Sequence, residues 1–446
     1  MFDSSLFPRI SGKQAALALG VMAASLLAGF AANYLPGYIF TLAFGLGLLL
    51  FVLYFPLFPT VPFGPVEFSA STPIAVGLAA ASFLKMRRAL VNPLARWQWA
   101  ILFALGSAFL LATMLSANIS VSLRAVPNLV VYLLLLFSVM TLADTFQKLT
   151  ALARLIIVLG FVLSIWRTEL GPIRGLFGLS SLGINGAVFN FHTAAALALV
   201  VSVFSSLSPA FSMRWRIFSL LALLSLIAHG VLLQTRAAWL AWAVLAILVF
   251  LWARGRDRLA IAMIAIAAAA LIFFGFRESV SVGISQTQTT LDILTGQQQY
   301  GMSSGDLIRE RAREAGWRMF LDRPVFGWGP NQFQALKPFY VTVQSKESRN
   351  PNAFNAWLIY LAEMGAATVL LVALAFLAPL LIVLRARRRD PLGILAFGFA
   401  LGALAIGIHL LFIDLFYSFA WTHLGLALAA ARMTQTAHQP ESAAPS

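Results

Sequence analysis

The 446-residue sequence contains no cysteine. Disulfide frameworks, thiolate metal sites and cysteine nucleophiles are therefore excluded. Charge is scarce as well: Asp, Glu, Lys and Arg make up 11% of the chain, against roughly 25% in soluble proteins. Acidic residues are the rarer sign, 16 against 31 Lys and Arg. The five histidines are scattered rather than set at metal-ligand spacing. No glycine-rich nucleotide loop and no Ser–His–Asp pattern occurs. The reading therefore assigns no cofactor and no metal, and it gives nucleotide-driven transport and soluble-type hydrolysis no support.

What the sequence has in abundance is hydrophobic residues, 60% of the total. They fall in runs of about 18–25, the length that crosses a ~30 Å hydrocarbon core. Porin-type strands would alternate in polarity over about 10 residues. Stretches such as Leu259–Phe276 are instead apolar on every face. The expected fold class is an all-α integral membrane protein, with membrane lipid as its first partner. A net charge of +15 would suggest nucleic acid in a soluble chain. Here the bases sit in short loops between apolar runs, where they set membrane orientation, and no nucleic-acid partner is implied.

Candidate spans are 14–34, 37–58, 71–85, 98–117, 126–143, 152–166, 189–208, 216–234, 237–253, 259–276, 354–384, 392–411 and 413–431. Met1–Lys13 holds Asp3 and Pro8, and the run after it has no small-residue cleavage site, so it reads as a retained first span. The positive-inside rule puts Lys85, Arg87, Arg88, Arg96, Lys148, Arg154, Arg214, Arg216, Arg254, Arg256, Arg258 and Arg385–Arg389 in the cytoplasm. Thirteen spans would then leave Arg9 and Lys13 outside. About twelve spans, with 71–85 not fully crossing, keeps both ends inside.

The chain divides into a transmembrane bundle (1–276), a long external loop (277–350), C-terminal transmembrane helices (351–432) and a disordered tail (433–446). The loop carries seven of the sixteen acidic residues. Its centre, Ser304–Phe320, has Ile308, Ala312, Ala315 and Met319 at helical spacing and reads as an amphipathic helix.

Arg236, in Gln234-Thr-Arg-Ala-Ala-Trp239, lies on the external side where arginine is depleted, and it opens a helix whose N-terminus is already positive. Both placements become favourable if a phosphate binds there. The plainer reading is an arginine reaching the interface or paired with a loop carboxylate. Arg174, in Gly171-Pro-Ile-Arg-Gly175, sits in a turn-rich external loop beside Arg167 and could clamp a diphosphate from a second side. His192 is the histidine placed to accept a proton, or a helix–helix contact. Glu363 and Asp414 are acids inside apolar runs. Glu363 reaches an external arginine or ties two helices together. Arg309 and Arg313 lie on a solvated helical face or over a lipid-diphosphate site.

Three stretches together resemble the O-antigen ligase and Wzy-type O-antigen polymerase superfamily. They are Thr235-Arg-Ala-Ala-Trp-Leu-Ala241, the stretch Trp317-Arg-Met-Phe-Leu-Asp-Arg-Pro-Val-Phe-Gly-Trp-Gly-Pro-Asn-Gln-Phe333, and Asn355-Ala-Trp-Leu-Ile-Tyr-Leu-Ala-Glu-Met-Gly365. The resemblance spans roughly residues 170–430. It implies a GT-C-like glycosyltransferase in the bacterial cytoplasmic (inner) membrane, acting at the periplasmic face on glycans carried by undecaprenyl diphosphate. Arg236 matches the motif arginine; Asn355, Glu363 and Gly365 match the third motif. Arg236, Arg174 and His192 become the catalytic candidates, and Arg309, Arg313, Asn355 and Glu363 the substrate-binding ones. Many members carry histidine where this chain has Phe354. That departure favours a polymerase over a ligase that takes lipid A-core as acceptor. A lipid-linked glycan transporter is the alternative of another class. A flippase and a chain-length regulator are partners that the resemblance implies.

Overall fold

An apolar run in a bilayer must bond its own backbone, since lipid offers no partner for an N–H or a carbonyl. Every run predicted from residue 71 onward is a helix. The computed structural model describes residues 61–63, 66–68, 71–89, 94–168, 187–208, 211–232, 236–275, 304–341, 355–386, 389–411 and 418–436. The spans expected at 14–34 and 37–58, Arg174, Phe354, Asp414 and residues 437–446 lie outside the described residues, whereas 433–436, expected in a disordered tail, complete the last helix.

In chain order the elements are β1 (Val61–Phe63), β2 (Val66–Phe68), α1 (Ser71–Ala89), α2 (Arg96–Met114), α3 (Ile119–Leu123), α4 (Val126–Leu142), α5 (Phe146–Thr168), α6 (Ala187–Leu207), α7 (Met213–Leu232), α8 (Arg236–Trp252), α9 (Arg256–Gly275), α10 (Ser304–Asp322), α11 (Phe333–Tyr340), α12 (Ala356–Ala386), α13 (Pro391–His409) and α14 (Ser418–Thr436). The described residues are helical as expected, apart from one short hairpin that the sequence reading did not include. Its strands pair antiparallel, Val61 with Phe68 and Phe63 with Val66. Valine and phenylalanine favour strand, and Gly64-Pro65 between them is a turn signal. The amphipathic helix expected at 304–320 is α10, with Ala312, Ala315 and Met319 buried.

Among the described residues, four segments are long and apolar enough to cross a membrane: Arg96–Met114, Ile119–Leu142, Ala356–Ala386 and Pro391–His409. The total of twelve spans is a proposal from the sequence. The long helices alternate in direction. One end of the bundle collects Lys85, Arg96, Lys148, Arg216, Arg258, Arg385 and Arg432; it is called the basic end below. The other collects the α2–α4 connection, α10, α11 and the start of α12, and is called the loop end.

The centre is α13. It is apolar all round and buried from Leu395 to Gly407 apart from one residue, with α5, α6, α8, α12 and α14 packed around it. Small residues allow that crowding. A Cβ on Gly402 would lie 1.8 Å from the Leu197 side chain of α6, and one on Gly398 would meet Phe204. Trp252 stacks on Phe397 with centroids 4.4 Å apart, fixing α8 against α13. Gly160 of α5 faces Ala198 of α6 in the same way, a Cβ there falling 2.4 Å from the alanine Cβ.

At the basic end Asp144 ties three elements. Lys148 Nζ donates to its carboxylate at 2.7 Å, and Lys85 of α1 donates to the other oxygen. The same ammonium groups also bond the last carbonyls of α4, Leu142 O from Lys148 and Thr141 O from Lys85. That is where the helix dipole favours cations. Burial pushes the Asp144 carboxyl up, but the hydrogen bonds from Lys148 and Lys85 outweigh it and hold it below its ordinary value of 3.8.

Two outcomes follow for stability. Gly160→Ala should separate α5 from α6 and cost about 1–3 kcal/mol, read as a lower thermal midpoint in detergent. The share of stability that Asp144 contributes is complete above its unfolded pKa and is lost as pH falls through the lower folded one. Asp144→Asn should therefore lower the midpoint at neutral pH and flatten its decline below pH 3.8.

Candidate functional site

The loop end is organised around a break in α12. Gly365 has φ 74° and ψ 173°, so the helix is two pieces joined at that residue. A break inside an apolar element strands backbone groups, which have to find partners elsewhere. Here the partner is the loop Arg323-Pro-Val-Phe-Gly-Trp-Gly329 between α10 and α11. Ala366 N–H donates to Pro324 O at 2.7 Å and Ala367 N–H to Val325 O at 3.3 Å. In return Trp328 N–H donates to Ala362 O at 3.0 Å and Gly329 N–H to Glu363 O at 2.6 Å.

Backbones this close exclude side chains. A Cβ on Gly365 would sit 2.1 Å from Val325 O. One on Gly327, where φ is +68°, would sit 2.4 Å from the Glu363 carbonyl. Gly329, at φ +107°, lies against the Ser116 hydroxyl. The Gly-x-Gly loop and the Glu-x-Gly helix are thus two halves of one interlock, and each glycine is demanded both by conformation and by space.

Glu363 completes it. Its side chain is buried, and Oε1 accepts the Phe333 N–H at 2.8 Å while the carboxylate also takes the Asn331 N–H. Both amides belong to the N-terminus of α11, where free N–H groups attract an anion. Asn331 itself has φ +62°. Of the two sequence readings of Glu363, the observed bonding matches the one in which it ties two elements together.

A third segment closes the knot. Ala117 N–H donates to Trp328 O at 2.9 Å, and Ser122 Oγ donates to Pro330 O at 2.8 Å. Gln332 is buried and its Nε2 donates to Asn118 O at 2.7 Å, with Ser116 and Ser122 hydroxyls at 3.2 Å. Trp328 donates its indole N–H to Met319 O at 2.9 Å, and the Arg323 guanidinium lies 4.3 Å above its ring. Tyr340 donates to Asp322 at 2.5 Å. Burial, that hydrogen bond and the charge of Asp322 push its phenol up to about 12. Lys337 is buried on α11, and burial lowers its ammonium below the ordinary lysine value.

The sequence-predicted residues are distributed around this knot. Asn355 is the cap of α12, its Oδ1 accepting the Leu358 N–H at 3.0 Å. The neighbouring Ala356 N–H and Trp357 indole N–H reach Leu410 O and Gly407 O at 2.9 and 2.8 Å, anchoring the start of α12 on the end of α13. Arg309 is in the second turn of α10, and Arg313 is half-exposed one turn on, 3.4 Å from Glu310. Arg236 is the first residue of α8, and His192 lies in the second turn of α6. Helices α6 and α8 both pack on α13 with their starts at its C-terminal end, so Arg236, His192 and Asn355 share the loop end. Arg174 lies outside the described residues.

Sequence reasoning missed Ser116, Ser122 and Gln332, whose partners are more than 200 residues apart along the chain. It also missed that His229 and His409, both buried, end the two helices α7 and α13 that flank α6. The glycine spacing was the one legible signal for the interlock.

Compared with known proteins, residues 220–373 match the family model described as O-Antigen ligase. The match runs from within α7 to just beyond the break in α12, narrower than the 170–430 suggested by the motifs, and it contains all three of them. No curated protein matches the chain.

Glu363→Ala should release the N-terminus of α11, leaving its amides without their acceptor at about 1–3 kcal/mol. Hydrogen exchange of Asn331 and Phe333 should accelerate accordingly, while exchange in α13 stays unchanged. Gly365→Ala should free the same loop more completely, seen as faster tryptic cleavage around the α10–α11 connection.

Proposed function

We propose that this chain, whose residues 220–373 belong to the O-antigen ligase family, is a glycan polymerase that joins undecaprenyl-diphosphate-linked oligosaccharide repeats, of O-antigen or exopolysaccharide, at the periplasmic face of the bacterial inner membrane. The observation that carries it is the convergence at the loop end. The start of α8 with Arg236, the early turns of α6 with His192, and the capped start of α12 with Asn355 lie at one end of helices packed on α13. The interlocked loop covers that same end.

The reaction needs an acceptor hydroxyl to attack the anomeric carbon of the donor sugar. The bond from that carbon to the diphosphate oxygen breaks, and the electron pair leaves with the undecaprenyl diphosphate. Arginines already in place in a low-dielectric site stabilise this developing dianion without reorganising. Arg236 takes that role at a helix N-terminus, where backbone N–H groups add to it, and Arg174 assists from the 167–188 loop. A single displacement inverts the anomeric centre. His192 receives the hydroxyl proton. Arg309 and Arg313, on a helix packed against α12, contact the glycan or its diphosphate. Asn355 and Glu363 position the segments that frame the substrate. No metal or cofactor is required by this scheme.

Phe354 favours polymerase over ligase, since it stands where many ligases carry histidine. The family description itself favours the second reading, transfer of the finished chain to lipid A-core. Under either reading a flippase supplies the donor, and under the first a chain-length regulator acts beside the enzyme. A transporter is less well supported, because the basic residues of the described spans gather at the ends rather than along a central path.

Purified protein incubated with undecaprenyl-diphosphate repeats alone should give a ladder on a gel. Product that forms only when lipid A-core is added would replace the polymerase by the ligase. Arg236→Ala, expressed at a normal level, should give no ladder; polymer of ordinary amount and length from that variant would overturn the proposed role of the arginine.

A further inference from the structure

The outward face of α10 changes character along its length. Its inward face is Ala312, Ala315, Gly316 and Met319, all buried against α12 and α11. In the first half the opposite face carries Glu310, Arg313 and Glu314, held in exposed ion pairs within the helix. In the last turns the same face carries Trp317 and Leu321, 51% and 57% exposed, and the chain continues into Val325 at 53%. Phe326 beside it is exposed too. Four large apolar side chains in ten residues, left uncovered, are costly in water.

The position of this patch supplies its occupant. Val325 O accepts the Ala367 N–H and Pro324 O the Ala366 N–H, so the patch abuts the upper end of the second piece of α12. From there an exposed stripe descends that helix through Ala366, Leu370, Leu374, Leu377, Leu381 and Leu384. Their spacing places them on one side of a helix that is long and apolar enough to cross a membrane. The patch on α10 is therefore continuous with a lipid-facing surface, and the charged half of α10 lies farther from it.

We propose that the C-terminal half of α10 and the Val325–Phe326 turn are seated in the leaflet at the loop end, at the boundary of headgroups and acyl chains, while the Glu310–Glu314 half rises into water. Trp317 sits where indoles concentrate at membrane interfaces. Arg318 flanks it with its guanidinium held by Glu314, one turn back toward the charged part of the helix. The seating fixes the height of the interlocked loop relative to the bilayer through the Val325–Ala367 bond, independently of which glycan the protein handles.

The absence of native cysteine allows single labels without background. Nitroxides would be placed one at a time at Glu310→Cys, Glu314→Cys, Trp317→Cys, Leu321→Cys and Val325→Cys in the full chain in liposomes, with Leu374→Cys as the lipid-facing reference. Collision with molecular oxygen and with a water-soluble nickel complex is then measured for each. The ratio of oxygen to nickel accessibility at 321 and 325 should be several-fold higher than at 310 and 314 and approach that at 374, with 317 intermediate. At 321 and 325 the side chains are exposed, so labelling disturbs little packing, and these two independent positions carry the result. Equal, water-like ratios at all five loop positions would overturn the proposal. So would low accessibility to both probes at 321 and 325, which would mean that protein rather than lipid covers the face.

Discussion

An interrupted helix in an apolar setting cannot leave its amides and carbonyls unbonded, and this single requirement organises the loop end of the molecule. At Gly365 the internal ladder of α12 fails, and the loop 324–329 takes over the orphaned groups on both sides. Each such group left unsatisfied in a nonpolar surrounding would cost several kcal/mol. The loop is consequently not an appendage laid over the bundle. It is the continuation of the bundle's own hydrogen bonding.

The remaining contacts of that end hang on this one. With the loop fixed along the break, Pro330 and Gln332 come within reach of Ser122, Ser116 and Asn118, so the α2–α4 connection is bound to a segment more than 200 residues later. Glu363 lies two residues before the break and turns its carboxylate onto α11 rather than into open space. The arginine-bearing start of α8 is held independently, through α13 and its stacked Trp252 and Phe397. A polar frame and a separately anchored helix start bearing Arg236 therefore lie at the same end of the bundle. The proposed stabilisation of a leaving diphosphate would benefit from charges fixed before substrate arrives.

Much of the architecture was legible because it follows from one simple rule. Apolar runs of spanning length become helices, and the helices from 71–85 to 413–431 appear close to where hydropathy put them. The basic clusters fall at one end for the same reason. The hairpin at Val61–Phe68 was not legible, since three-residue strands leave almost no pattern. Glu363 illustrates the limit more sharply. Its sequence context marks it as a costly buried acid needing a partner, but the partners are backbone amides of Asn331 and Phe333, which no side-chain pattern can announce. Gln332 and the two serines are invisible for a related reason: polar residues in loops are common, and only the fold brings these together. The motif glycines were noticed as spacing, while their cause, two backbones in direct contact, needs the third dimension.

The burial of α13 has a further consequence for biosynthesis. This helix is surrounded by α5, α6, α8, α12 and α14, yet all but α14 of those neighbours precede it in the chain. During synthesis the earlier helices leave the ribosome with no centre to pack on, and Leu197 and Phe204 of α6 face an empty slot that Gly402 and Gly398 later fill. The bundle can close only when α13 is inserted among the neighbours that precede it. A nascent chain stalled before residue 391 would thus present an open groove to lipid and to quality-control proteases, so about the last eighth of the polypeptide decides whether the rest persists.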